Sequence, residues 1–115
     1  MSTTIYGKTN KTQLFQAMNG MTNSLRDLQD GAELTITAAA VNIPDDPDAL
    51  TELFLVTAGD GIFSTTSGTV RDTFLRAVEF FGTHELKVRK ISGKSKAGRA
   101  YINIEVIGGN YNDLE

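Results

Sequence analysis

From Glu33 the chain changes period. Leu34, Ile36, Ala38 and Ala40 alternate with Glu33, Thr35, Thr37 and Ala39, and apolar residues at every second position predict a half-buried strand running to about Ile43. A lone strand buries too little to persist, so partners are required. The next residues supply them. Pro44-Asp45-Asp46-Pro47-Asp48 is a turn-rich loop, because proline and aspartate favour turns over ladders. Residues 51–57 read as a second strand, Gly59-Asp60-Gly61 interrupts it, and residues 62–66 form a short third strand. The three are expected to be antiparallel.

Helical spacing returns at residues 69–81, where Val70, Phe74, Ala77, Val78 and Phe81 share one face. Thr69 with Asp72 matches a capping box, and Gly82 stands where a C′ glycine belongs. Upstream, Leu14, Met18, Met21, Leu25 and Leu28 predict a helix over about residues 12–28, although Gly20 costs it about 1 kcal/mol against alanine. Downstream, residues 85–91 and 99–107 form a strand pair joined by residues 92–98. Leu86, Val88, Ala100, Ile102, Ile104 and Val106 face inward; Lys87, Arg89, Arg99, Tyr101, Asn103 and Glu105 face outward. The tail from Gly108 to Glu115 is expected to be loose.

The length of 115 residues suits one domain. Its predicted class is mainly β (α+β). Three strands, a helix and a hairpin follow the element order of the five-stranded oligonucleotide-binding barrel (OB-fold), here over about residues 33–107 with an added N-terminal helix. The helix would lie between strands 3 and 4 of the barrel.

Charge is distributed unevenly. The net charge is −3, yet six of the eleven Lys and Arg residues lie between Lys87 and Arg99, where there is no carboxylate. Asp45, Asp46, Asp48, Glu52 and Asp60 fall in a second window that holds no cation. No apolar run approaches the roughly 20 residues of a membrane helix. Met1–Tyr6 lacks the basic and then apolar order of a secretory signal. A soluble cytoplasmic protein is expected.

No constellation for catalysis emerges. His84 is the sole histidine, and without cysteine there is no thiolate metal site; a loop or cap role suits it better. Asp45, Asp46 and Asp48 lack the spacing and terminal glutamate of a calcium loop. Gly7-Lys8-Thr9 and Gly93-Lys94-Ser95 each match the end of a phosphate-binding P-loop. That motif needs a further glycine five residues earlier, and those positions hold Ser2 and Val88. Neither a metal nor another cofactor is expected, and the chain is not expected to be an enzyme.

The basic hairpin remains. Lys and Arg neutralise phosphates with release of counterions, and exposed aromatic rings stack on unpaired bases. Lys87, Arg89, Lys94, Lys96 and Arg99 would lie along one edge and the tip, with Lys90 pointing elsewhere. Tyr101 is a stacking platform on the same face as Arg99, and Phe54 and Phe63 are further ring candidates because the second and third barrel strands face ligand. On the hairpin alone a solvated, aggregation-resistant surface is an equally open reading, and the two phenylalanines suit the core as well.

Gly61-Ile62-Phe63-Ser64-Thr65, the helix end Glu79-Phe80-Phe81-Gly82, and Gly93-Lys94-Ser95-Lys96-Ala97-Gly98-Arg99 followed by Ala100-Tyr101-Ile102 carry a resemblance. The chain resembles the small single-stranded DNA-binding proteins of tailed bacteriophages, of the lactococcal-phage kind, over about residues 33–107. That resemblance implies an OB-fold barrel that coats single strands in replication or recombination. It also implies a homodimer or higher homo-oligomer in the host-cell cytoplasm, with replication or recombination proteins as further partners and no membrane. Bacterial single-strand binders recruit partners through an acidic tail ending in a hydrophobic dipeptide; Asn110-Tyr111-Asn112-Asp113-Leu114-Glu115 departs from that pattern. The alternative is a virion-assembly or adaptor protein working through protein contacts, with an exposed strand edge and the Met/Leu stripe as its surface. The acidic window is expected to stand away from any DNA groove.

Overall fold

The computed structural model describes residues 2–7, 11–82 and 85–109. In chain order the elements are β1 (Ser2–Gly7), α1 (Lys11–Met18), β2 (Asn23–Ser24), a 3-10 turn (Leu25–Asp27), β3 (Glu33–Ile43), β4 (Glu52–Thr57), β5 (Ile62–Thr65), α2 (Gly68–Phe81), β6 (Leu86–Lys94) and β7 (Ala100–Gly109). The three central strands, α2 and the final hairpin stand where the periodicity predicts them.

All the strands join one sheet in the order β2-β5-β4-β3-β6-β7, with β1 added against β3. The sheet is therefore mainly antiparallel and curls into a half-barrel, with seven strands instead of five. The two extra strands come from the N-terminal segment. β1 pairs antiparallel with residues 38–43 of β3, while the two residues of β2 run parallel to β5.

β3 is long enough to serve three neighbours. Along one edge it pairs with β4. Along the other, Glu33–Ile36 pairs with β6 and residues 38–43 pair with β1. The register against β4 shifts between Ile36 and Ala38, leaving Thr37 as an extra residue. A bulge of this kind reverses the side-chain alternation beyond it. Leu34, Ile36, Ala39 and Val41 consequently face the main core, and Ala38 and Ala40 face the opposite side. The alternation expected from sequence placed Ala38 and Ala40 with Leu34 and Ile36; the bulge overturns that half of it.

Each face of the central strands has its own cover. The inner core joins β3, β4, β6 and β7 to Val70, Phe74 and Ala77 of α2, and Leu53 and Leu55 are at most 1% exposed in it. Complete burial of such a side chain contributes about 1.5–3 kcal/mol. Tyr6 of β1 reaches this core and meets Phe74 edge-on, with ring centroids 5.8 Å apart. On the outer face, Leu14 and Ala17 of α1 cover Ala38, Ala40, Phe54, Val56 and Ile62.

Several local expectations are corrected. The helix over 12–28 stops at Met18, and Gly20 takes a φ of 93°, which a helix does not allow. Leu25 is still buried, but through the 3-10 turn; β2 exchanges helical hydrogen bonds for sheet pairing with β5. The cap of α2 is Ser67, not Thr69: the Ser67 hydroxyl accepts a hydrogen bond from the Val70 N–H at 3.2 Å. Gly82 ends that helix as expected, with φ 83° and its N–H bonded to the Val78 carbonyl. The final strand runs on through Gly109, so Gly108 and Gly109 are paired and not loose. His84, Lys8, Thr9 and residues 110–115 lie outside the described residues.

A core position for Phe54 has a measurable consequence. Phe54→Ala is expected to cost about 3–5 kcal/mol of stability, read from urea denaturation. A loss below about 1 kcal/mol would instead fit an exposed ring.

Candidate nucleic-acid interface

The register settles which side chains the hairpin presents together. Leu86, Val88, Lys90, Ile102 and Ile104 face inward and are buried. On the outer face, Arg89 stands opposite Glu105, Ile91 opposite Asn103, and Gly93 opposite Tyr101. Past Ser92 and Ile102 the two strands leave the body of the sheet and project. Their turn is built by the Gly98 N–H bonded to the Ser95 carbonyl at 2.8 Å and the Ser95 N–H bonded to the Arg99 carbonyl at 2.9 Å. Gly98 has a φ of 79°, the left-handed position that a three-residue hairpin loop needs. Lys96 sits at its apex.

The five cations named from sequence divide into two groups. Lys87 and Arg89 are held by Glu33, at 3.3 Å and 3.5 Å, and Glu105 lies across from Arg89. This part of the outer face is charge-balanced. Lys94, Lys96 and Arg99 are exposed and make no ion pair with any described residue. Positive potential is thus concentrated on the tip.

Lys90 belongs to neither group. It is 4% exposed, and its Nζ donates to Asp30 Oδ1 at 2.7 Å and to the Arg26 carbonyl at 3.4 Å. Asp30 also accepts from the Ser92 hydroxyl at 2.7 Å. Backbone bonds join Gly31 and Ala32 to Lys90. The segment before β3 therefore clamps the base of the projecting hairpin.

The aromatic candidates separate as well. Tyr101 is 40% exposed. Phe54 and Phe63 are 3% and 7% exposed, so neither ring offers a face to a base. They even lie on opposite sides of the sheet: Phe54 under α1 and Phe63 in the main core. The sheet surface around Phe54 is occupied by α1, Asn103 of the hairpin accepts a hydrogen bond from the Thr73 hydroxyl of α2 at 2.8 Å, and the continuously exposed part of the hairpin is residues 94–101.

Most of the acidic window lies far from the tip. Asp45, Asp46 and Asp48 are in the loop after Ile43, at the opposite end of β3 from Glu33. Ten residue steps along a strand separate those ends by roughly 33 Å. Asp60 is the exception. Its turn follows Thr57, which pairs with Ile36, and its N–H bonds the Thr57 hydroxyl.

Glu33, Asp30, Glu105 and Gly93 were not among the DNA-contacting residues expected from sequence. Their importance follows from cross-strand register, of which the one-dimensional charge pattern holds no trace. Among the described residues there is no group of side chains suited to a metal ion, and no helix is long and apolar enough to cross a membrane. Neither a protein-family model, a curated protein nor a solved structure matches the chain.

The clamp carries a pH dependence. The Lys90 hydrogen bond, followed by that of Ser92, holds the Asp30 carboxyl below its ordinary value of 3.8. The Lys87 and then the Arg89 hydrogen bonds hold Glu33 below 4.5. Both groups bind protons more weakly folded than unfolded, so their contributions are whole above those ordinary values and fade as pH falls through the lowered ones. Asp30→Asn should lower the melting temperature most at about pH 6, with the gap to the native protein narrowing as pH falls below the ordinary value of 3.8. An unchanged gap at acid pH would contradict the charged clamp.

Proposed function

We propose that this chain binds single-stranded nucleic acid, DNA in the first instance, without regard to sequence, through the projecting β6–β7 hairpin. The observation that carries this reading is the tip itself: three exposed cations with no ion pair to any described residue, and a Tyr101 ring 40% exposed, on a hairpin that Asp30 clamps at its base. Cations that follow the backbone and a ring that stacks on bases are the two parts such binding requires. The strand order supports it, since β3 sits between β4 and β6, α2 follows β5, and a hairpin closes the chain, as in an OB-fold. The reading extends to self-association as a dimer or higher oligomer and to a part in phage replication or recombination in the host cytoplasm.

Within this reading Lys94, Lys96 and Arg99 contact phosphates directly, whereas Lys87 and Arg89 do so only by leaving Glu33. Phe54 and Phe63 support the scaffold. The acidic loop after β3 stands beyond the reach of a short strand held at the tip.

Fluorescence anisotropy with a labelled oligo-dT at increasing salt tests the assignment. Each phosphate contact on a single strand contributes about 0.7 to the log–log salt slope, so replacing Lys94, Lys96 and Arg99 with alanine should flatten it by about 2. Glu33→Gln, which releases two cations, should steepen it. Absence of binding by the native protein at low salt would remove the proposal.

A further inference from the structure

Gly93 lies within β6, and its φ is outside the left-handed region, so the backbone there does not require glycine. Space does. A Cβ built on Gly93 would lie 2.6 Å from the Tyr101 hydroxyl oxygen, 2.7 Å from Cζ and 3.2 Å from Cε1. The tyrosine ring is laid across the strand onto the bare Cα of its cross-strand partner, and it remains 40% exposed. Any side chain at residue 93 would lift the phenol end away from the sheet.

Glycine in a strand interior weakens the strand, and often marks the close approach of another group. Here the approaching group is the ring named above as the base platform. Its neighbours on the hairpin are Lys94, opposite Ala100, and Arg99, two residues earlier in the turn that leads into β7. A ring held flat by one face presents the other to solvent on the same side as Arg99, whereas Lys94, next to Gly93 in β6, points to the opposite face of the hairpin.

We infer that Gly93 is a positioning residue for base stacking: it fixes the Tyr101 ring flat on the hairpin so that one nucleobase stacks on the ring's open face while Arg99 holds a flanking phosphate. The inference rests on the single-strand binding reading and adds to it a base-dependent component seated at one position. The competing explanation is structural, with the ring merely covering an otherwise bare glycine and stabilising the hairpin.

The two are separated by comparing oligo-dT with an abasic strand of equal length, which offers the same phosphates and no bases. The native protein should bind oligo-dT about tenfold more tightly than the abasic strand, as expected for one stacked base. Gly93→Ala should lose most of that preference while its affinity for the abasic strand and its salt slope stay unchanged. Tyr101→Ala should do the same, and the double variant should lose nothing further.

A Gly93→Ala protein that keeps the preference, or that weakens on both strands equally, overturns the inference. Equal binding of both strands by the native protein overturns it too, and leaves phosphate binding intact. Failure of the native protein to bind either strand at low salt overturns the binding reading along with it. A measurement on the unaltered chain guards against misfolding of the variant. The Gly93 Hα resonances should be shifted upfield by the ring above them, and unshifted resonances would contradict the placement.

Discussion

The architecture depends on the way β3 shares its edge. Of its eleven residues, 36 and 38–42 pair with β4 on one side, while on the other Glu33–Ile36 pair with β6 and residues 38–43 with β1. The extra residue at Thr37 makes that division compatible with two cores. Before it, Leu34 and Ile36 face α2; after it, Ala39 and Val41 take over the inner positions and the small Ala38 and Ala40 turn outward to receive α1. Because β6 meets this edge only through Glu33–Ile36 and the Lys90 bonds to Gly31 and Ala32, its residues beyond Lys90 pair with β7 and run past β3. The overhanging hairpin is thus a product of the register of β3.

That overhang organises the charge. Where the hairpin still lies beside β3, Lys87 and Arg89 meet Glu33 and Arg89 faces Glu105; where it projects, its cations pair with no carboxylate among the described residues. A cation buried at the junction is costly unless paired and hydrogen-bonded, and Asp30 with the Arg26 carbonyl supplies both needs for Lys90. Asp30 extends the same contact to Ser92 and so holds the root of the tip. A preorganised surface loses less freedom when a flexible strand settles on it.

The sequence was most legible where apolar periodicity ran without interruption: β3, β4, β5, α2 and the closing hairpin. It misled where the same spacing arose by another route. Leu14, Met18, Met21, Leu25 and Leu28 imitate a helical stripe, but the chain turns at Gly20 and Leu25 reaches the interior from a 3-10 turn. Ser2–Gly7 forms an edge strand with mostly exposed residues, a position that leaves almost no apolar pattern to read. The role of Phe54 turned on whether the outer sheet face was free, and α1 covers it, while Phe63 packs in the main core on the other side. Within the hairpin, the cluster of cations was visible in the sequence; its division by Glu33 and the contact between Gly93 and Tyr101 needed the register.

The central claim is that a single strand lies across the projecting hairpin and not over the sheet face beneath α1. Amide chemical-shift mapping with a short oligo-dT at low salt tests it most directly. The account predicts that the largest shifts fall on residues 93–101, with residues 45–52 unmoved. Shifts centred on α1, on β4 and β5, or on the acidic loop would contradict it.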